Sequence, residues 1–164
     1  YIQSMSDDGR KLRITWIDNM TLTTWGITMQ ALKEQAIKNL CKDGYAIQCI
    51  DGILNGLLGS HTIPHDIGPI HLYVLTNKKM FWGATGILDR RIIRSFAERI
   101  GHNLYIIPSS VHETLICPDL GQIEEGEIDQ IIKEINDTQV APCDRLSDHV
   151  YYYDMAMDEI RTGR

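Results

Sequence analysis

The chain has 164 residues, a formal net charge of −6, 43% hydrophobic residues and 23% charged residues. That length suits one domain able to bury about 70% of its unfolded surface, and the composition is that of an ordinary globular protein. The acidic balance withholds the broad positive field that supplies most non-specific nucleic-acid affinity, so nucleic acid is an unlikely partner. No apolar run approaches the ~20 residues needed to cross a bilayer and no secretory signal is visible, so a cytoplasmic domain without a membrane partner is expected.

Cys41, Cys49, Cys117 and Cys143 form no Cys-x-x-Cys pair and match no zinc framework; they read as reduced thiols. Residues 1–9, which begin at Tyr1, read as a disordered or vector-derived lead. Residues 10–164 read as one α+β domain, the C-terminal part of a longer protein.

In chain order, polar and apolar residues alternate over 11–17 and predict a strand. A helix is expected over 28–43, with Thr28 as N-cap, Met29, Leu32, Ala36 and Leu40 on a sheet-facing stripe, and Gly44 left-handed after its end. Residues 45–58 fit strand or helix, and 59–69, with two prolines and two histidines, read as a loop. Residues 70–76 and 80–88 predict a hairpin turning at Asn77-Lys78, with Gly83 and Gly86 marking a bulge or a close backbone approach. Asp89 then caps a helix ending at Gly101, whose apolar face is Leu88, Ile92, Ile93, Phe96, Ala97 and Ile100. A second hairpin joins 103–107 to 113–117 through Pro108-Ser109-Ser110. A helix follows over 124–136 on Ile128, Ile131, Ile132 and Ile135, and the chain closes with a turn and strand over 146–154. The order hairpin, helix, hairpin, helix predicts an α+β fold, an antiparallel or mixed sheet with helices packed mainly on one face.

Short strings in this half fall in a recognisable order. They are Leu75-Thr76-Asn77, Gly83-Ala84, Pro108-Ser109-Ser110-Val111-His112-Glu113, Ile135-Asn136-Asp137-Thr138-Gln139-Val140 and Leu146-Ser147-Asp148-His149-Val150-Tyr151. With Trp25-Gly26 and the 36–40 helix segment they resemble the C-terminal half of a family of bacterial proteins catalogued as a domain of unknown function. Members of that family are about twice this length. The resemblance implies a fold boundary and no activity, cofactor or partner. It marks Asn77, Pro108, Ser109, Ser110, His112, Glu113, Asn136, Ser147, Asp148 and Tyr151 as the residues to locate.

Ser109, Ser110, His112 and Glu113 supply a hydroxyl, an imidazole and a carboxylate, the parts of a nucleophile–base–orienter set. In an extended strand His112 and Glu113 point to opposite faces, so Glu113 is poorly placed to orient His112. Asp148 would reach His112 if the tail folds back beside the second hairpin, and the plainer reading of Ser147 and Asp148 is a turn or cap. The Gly-x-Ser-x-Gly elbow is absent. The plainer reading is a turn in which Pro108 fixes φ and the serines bond nearby backbone. His61, His65 and His71 could gather round a metal, yet Pro64 opposes a helix and Thr62 stands where the zinc motif needs glutamate; solvated loop histidines are the simpler reading, and no cofactor is implied. Arg90, Arg91 and Arg94 suit a solvated helix face, and one of Tyr151–Tyr153 suits an interface. Two functions follow. The first is a non-catalytic regulatory or interaction domain, contacting a protein partner or the missing N-terminal half through the Pro108–Glu113 turn and the Leu146–Tyr153 tail. The second is a hydrolase with His112 as base and Ser109 or Ser110 as nucleophile.

Overall fold

The computed structural model describes residues 2–7, 11–42, 44–50, 72–108, 110–121 and 125–163. They fall into two compact units, 1–39 and 40–164.

In the first unit β1 (Ile2–Asp7) pairs antiparallel with β2 (Lys11–Trp16), from Ile2↔Trp16 to Asp7↔Lys11. Helix α1 (Asn19–Trp25) starts where Asp18 Oδ1 accepts from the Thr21 N–H at 2.8 Å, and stops at Gly26 with φ 64°. Helix α2 (Met29–Leu40) is capped as expected, with Thr28 Oγ1 accepting from the Ala31 N–H at 3.1 Å. Its stripe does not pack as expected: no residue of α2 is buried.

The second unit holds a six-stranded sheet in the order β3 (Tyr45–Cys49), β4 (Tyr73–Asn77), β6 (Thr114–Pro118), β5 (Leu104–Ile107), β7 (Tyr151–Asp154), β8 (Glu159–Thr162). Every pairing is antiparallel, which makes the fold α+β. Period-two alternation sends Leu104 and Ile106 to one face and Tyr105 and Ile107 to the other. Helix α3 (Arg90–Ile100) covers the first face, where Ile93, Phe96 and Ala97 meet Leu75, Ile106, Ile116 and Tyr153. Helix α4 (Glu125–Gln139) covers the second, where Ile128 and Ile132 meet Tyr105, Ile107, Val150 and Tyr152. The helices are therefore shared between the faces, because each face of β5 carries its own apolar set. Each fully buried aliphatic side chain contributes roughly 1.5–3 kcal/mol. Burial, with the bond from its hydroxyl to Asp158 Oδ1 at 2.7 Å, pushes the Tyr153 phenol up to about 12.

Three local expectations are corrected. Residues 83–88 form a 3₁₀ turn and not the return of a hairpin, since β4 pairs with β3 and β6. The Asn77 carboxamide sets that course: Oδ1 accepts from the Lys79 N–H at 3.0 Å and Nδ2 donates to Phe81 O at 2.8 Å. Leu88, expected in the α3 stripe, is 64% exposed because it precedes the Asp89 cap. Strand β8 was not expected; it folds back after a turn that puts Asp158 at φ 50°.

Gly83 and Gly86 do mark close backbone approaches. A Cβ on Gly83 would collide with Thr76 Oγ1 and the His112 carbonyl, and one on Gly86 would meet the Tyr45 ring.

Candidate functional site

The strings that stand apart in sequence meet at one end of the sheet in the second unit. β4 ends at Asn77, and the chain turns through Met80 and Trp82, both left-handed at φ 49° and 55°. Neither residue is glycine, and such conformations cost on the order of 1–3 kcal/mol each, so the surroundings must hold them. The β5–β6 connection supplies that hold. The Trp82 N–H donates to His112 Nδ1 at 3.3 Å, the Thr76 hydroxyl donates to His112 O at 3.0 Å, and the Ala84 N–H donates to Val111 O at 3.2 Å. On its far side the same connection meets 141–147: the Val111 N–H donates to Asp144 O at 2.8 Å, the Ser147 N–H to Pro108 O at 3.1 Å, and Ser110 forms an isolated bridge with Arg145.

His112 sits at the centre. Its ring lies 5.0 Å from the Phe81 ring and 6.1 Å from the Trp82 ring. With Nδ1 accepting from a main-chain N–H, the proton of the neutral imidazole belongs on Nε2, which faces Asp144 Oδ1 at 3.6 Å. Asp144, which carries no motif, is thus the carboxylate beside His112. Asp148 lies elsewhere: its Oδ1 accepts from Asn136 Nδ2 at 2.7 Å. Asn136 is fully buried and also donates to Ser147 O at 2.9 Å, while its own Oδ1 is buried without a hydrogen-bond partner. A second carboxylate on α4, Asp129, accepts from the Val150 N–H at 2.9 Å and fixes the entry to β7.

The expected triad is not brought together among the described residues. The Ser110 side chain is buried and its Oγ accepts from the His112 N–H at 2.9 Å, a turn contact and not a nucleophile–base contact. A general base must present a free ring nitrogen to the nucleophile. Here one nitrogen accepts a hydrogen bond from a main-chain N–H and the other faces a carboxylate. Ser109 lies outside the described residues, as do His61, His65 and His71. Glu113 is half-buried, Ser147 Oγ accepts from the His149 N–H at 3.1 Å, and Tyr151 packs at the edge of the α3-side core. Asp137, from the same string as Asn136, pairs with Arg145 at 3.0 Å.

Among the described residues no group of three or more His, Cys, Asp or Glu could hold a metal, and no helix is long and apolar enough to cross a membrane. Exposed Cys41 and Cys143 contrast with Cys117, whose thiol burial pushes upward. Sequence reasoning missed Asp144 because its contact with His112 spans 32 positions and depends on the 141–147 turn.

No curated protein and no solved structure matches the chain. A family model matches residues 1–155, a span that takes in the opening segment, β1 included. The strings that meet around His112 also lie within it, and the chain belongs to the family of unknown function DUF5688.

Proposed function

We propose that this chain is a non-catalytic protein-binding domain, whose contact surface lies on the first unit. The observation that carries the reading is a concentration of exposed apolar side chains: Trp16 at 69%, Met20 at 77% and Trp25 at 47%, followed by Ile27, Met29 and Ile37. Single exposed leucines are ordinary, but tryptophan and methionine gathered over some twenty residues have the composition of an interface core. Tryptophan is also the residue whose truncation most often removes binding energy. The polar groups around His112 support the same reading from the other side, since they are engaged with one another and with main chain. That cluster holds the fold, and the partner is a protein, either a separate chain or a further segment of the same polypeptide.

The test is a pair of measurements. Photo-crosslinking in cells compares the parent chain with a variant carrying Trp16→Ser, Met20→Ser and Trp25→Ser, and the expected result is a partner captured by the parent and lost by the variant. In parallel, ester, phosphoester and peptide substrates are offered to the parent and to His112→Ala. Hydrolysis by the parent that disappears in His112→Ala would overturn the binding reading in favour of a hydrolase.

A further inference from the structure

A groove of about 700 Å³ runs along the edge of the sheet in the second unit, with Gly44–Ile47 on one side and Ile92, Ser95, Phe96 and Arg99 on the other. The helical wall is one face of α3, its residues spaced i, i+3, i+4 and i+7. The strand wall is β3, the last strand in the described sheet order.

The register fixes what β3 presents. The Ile50 N–H donates to Leu72 O at 3.0 Å, and the β3–β4 pairs run from Tyr45↔Asn77 to Cys49↔Tyr73. Hydrogen-bonded and non-hydrogen-bonded pairs alternate in an antiparallel ladder. Ala46 and Gln48 therefore share the phase of Ile50 and bond to β4, while the main-chain N–H and C=O groups of Tyr45 and Ile47 point away from β4, to the edge where no strand pairs with β3 among the described residues. The Tyr45 and Ile47 side chains meanwhile pack against the α3-side core, which holds this edge in place. Main-chain donors and acceptors at residue spacing along a strand edge recognise one kind of molecule, an extended polypeptide.

The charges narrow the class. Arg91 is spent on Asp89, with Nε to Oδ1 at 2.9 Å and Nη2 to Oδ2 at 2.8 Å. Arg94 is spent on Glu98 and Asp158. Arg99 stands 5.1 Å over the Phe96 ring and, among the described residues, meets no carboxylate. The Arg99 guanidinium, which meets no carboxylate among the described residues, makes this wall of the groove complementary to an acidic side chain.

We propose that this groove takes an extended segment of a partner protein, added as a strand beside β3, with an acidic side chain set against Arg99. Alternate side chains of that segment would face Ile92 and Phe96. The proposal concerns a different surface from Trp16–Ile37 and stands without it.

The test is an amide-shift NMR titration of the chain with acetylated, amidated heptapeptides alternating valine with glutamate. Two control peptides replace glutamate by lysine or carry N-methyl groups on alternate valines. The expected result is movement of the Tyr45 and Ile47 amides by the glutamate peptide. Affinity should fall about tenfold or more with either control peptide and with the Arg99→Glu protein. The Arg99→Glu protein should instead favour the lysine peptide, and circular dichroism should report the parent fold for it. Trp25→Ser should leave the titration unchanged, which separates this groove from the surface on the first unit. No amide movement at about 1 mM peptide would overturn the proposal, since affinity weaker than that is negligible. So would binding indifferent to N-methylation and to Arg99→Glu.

Discussion

Helices α2 and α3 carry the same kind of apolar stripe and come to opposite ends. In α3 the stripe disappears into the sheet: Ile93 and Ala97 are fully buried and Phe96 nearly so. In α2, Met29, Leu32, Ala36 and Leu40 recur at the same spacing, and none is buried. The contrast extends to the units that hold them. The second unit closes an apolar layer on each face of its sheet, whereas the buried apolar residue of the first, among its described side chains, is Leu22. Periodicity identifies which face of a helix is apolar, but what covers that face depends on what is nearby, and the first unit offers α2 too little.

The sharpest way to test this contrast is to cut into the second unit's core. Leu75 is fully buried on β4, which is paired on both sides, so Leu75→Ala should cost about 2–5 kcal/mol, read from the urea midpoint with an unchanged slope. A loss below about 1 kcal/mol would mean that this core is not the close-packed layer described, and the contrast between the units would fail.

Asn136 should come next. Its amide donates to Ser147 O and Asp148 Oδ1 from a fully buried position, so Asn136→Ala leaves two acceptors without their donor. The expected cost is about 1–3 kcal/mol. Proteolysis should then cut within the 141–149 turn at a concentration of protease that spares the parent chain. A variant as stable and as resistant as the parent would remove Asn136 from the residues that hold the His112 cluster together.

Asp89 is smaller and depends on pH. It caps α3 by accepting from the Arg91 N–H at 3.2 Å, and the Arg91 side chain bonded to it holds its carboxyl below the usual carboxylate range. A depressed folded-state pKa gives stability that is fully present above the unfolded value of about 3.9 and is lost as pH falls through the folded value. Asp89→Ala should therefore cost about 1 kcal/mol at neutral pH. The difference from the parent should shrink steadily below about pH 4. Because the Arg91 side chain is 72% exposed, the ion pair itself adds little, and Arg91→Ala should cost less than Asp89→Ala. A difference that grew on acidification would reverse the sign and refute the cap as the source.

These elements also mark how far the sequence could be read. Thr28 and Asp89 were legible because an N-cap is local chemistry, fixed by a side chain and an N–H two or three residues away, and Gly101 because a left-handed helix end favours glycine. The β5–β6 hairpin was legible for the same reason. The segment 80–88 was misread because its apolar run has the composition of a strand, while its course is set by the Asn77 carboxamide and by the approach of Gly83 to β4 and to the His112 carbonyl. The family strings predicted which residues would matter and not how they would pair. The strings offer Asp148 as a partner for His112, yet Asn136 takes Asp148, and Asp144 takes the place beside His112. Such pairings are decided by where α4 and the 141–149 turn pack, which no local pattern encodes.

The smallest expected effect on folding belongs to the first unit, and it bears most directly on the contrast. Trp25 is 47% exposed and Met29 45% exposed, so Trp25→Ser and Met29→Ser should each change the stability of the isolated chain by about 0.5 kcal/mol or less. Substitution of a large apolar residue by serine is severe by composition, and only exposure makes it mild. The same two variants should lose most of the partner's affinity, because a side chain left exposed in the free chain is available to a complex. Stability and binding would then separate cleanly between the units, with Leu75→Ala destabilising and Trp25→Ser impairing association. A loss of more than about 2 kcal/mol on Trp25→Ser would show that this side chain is packed in the folded chain after all. The first unit would then have a core of its own, and the apolar surface from Trp16 to Ile37 would no longer be evidence for a partner.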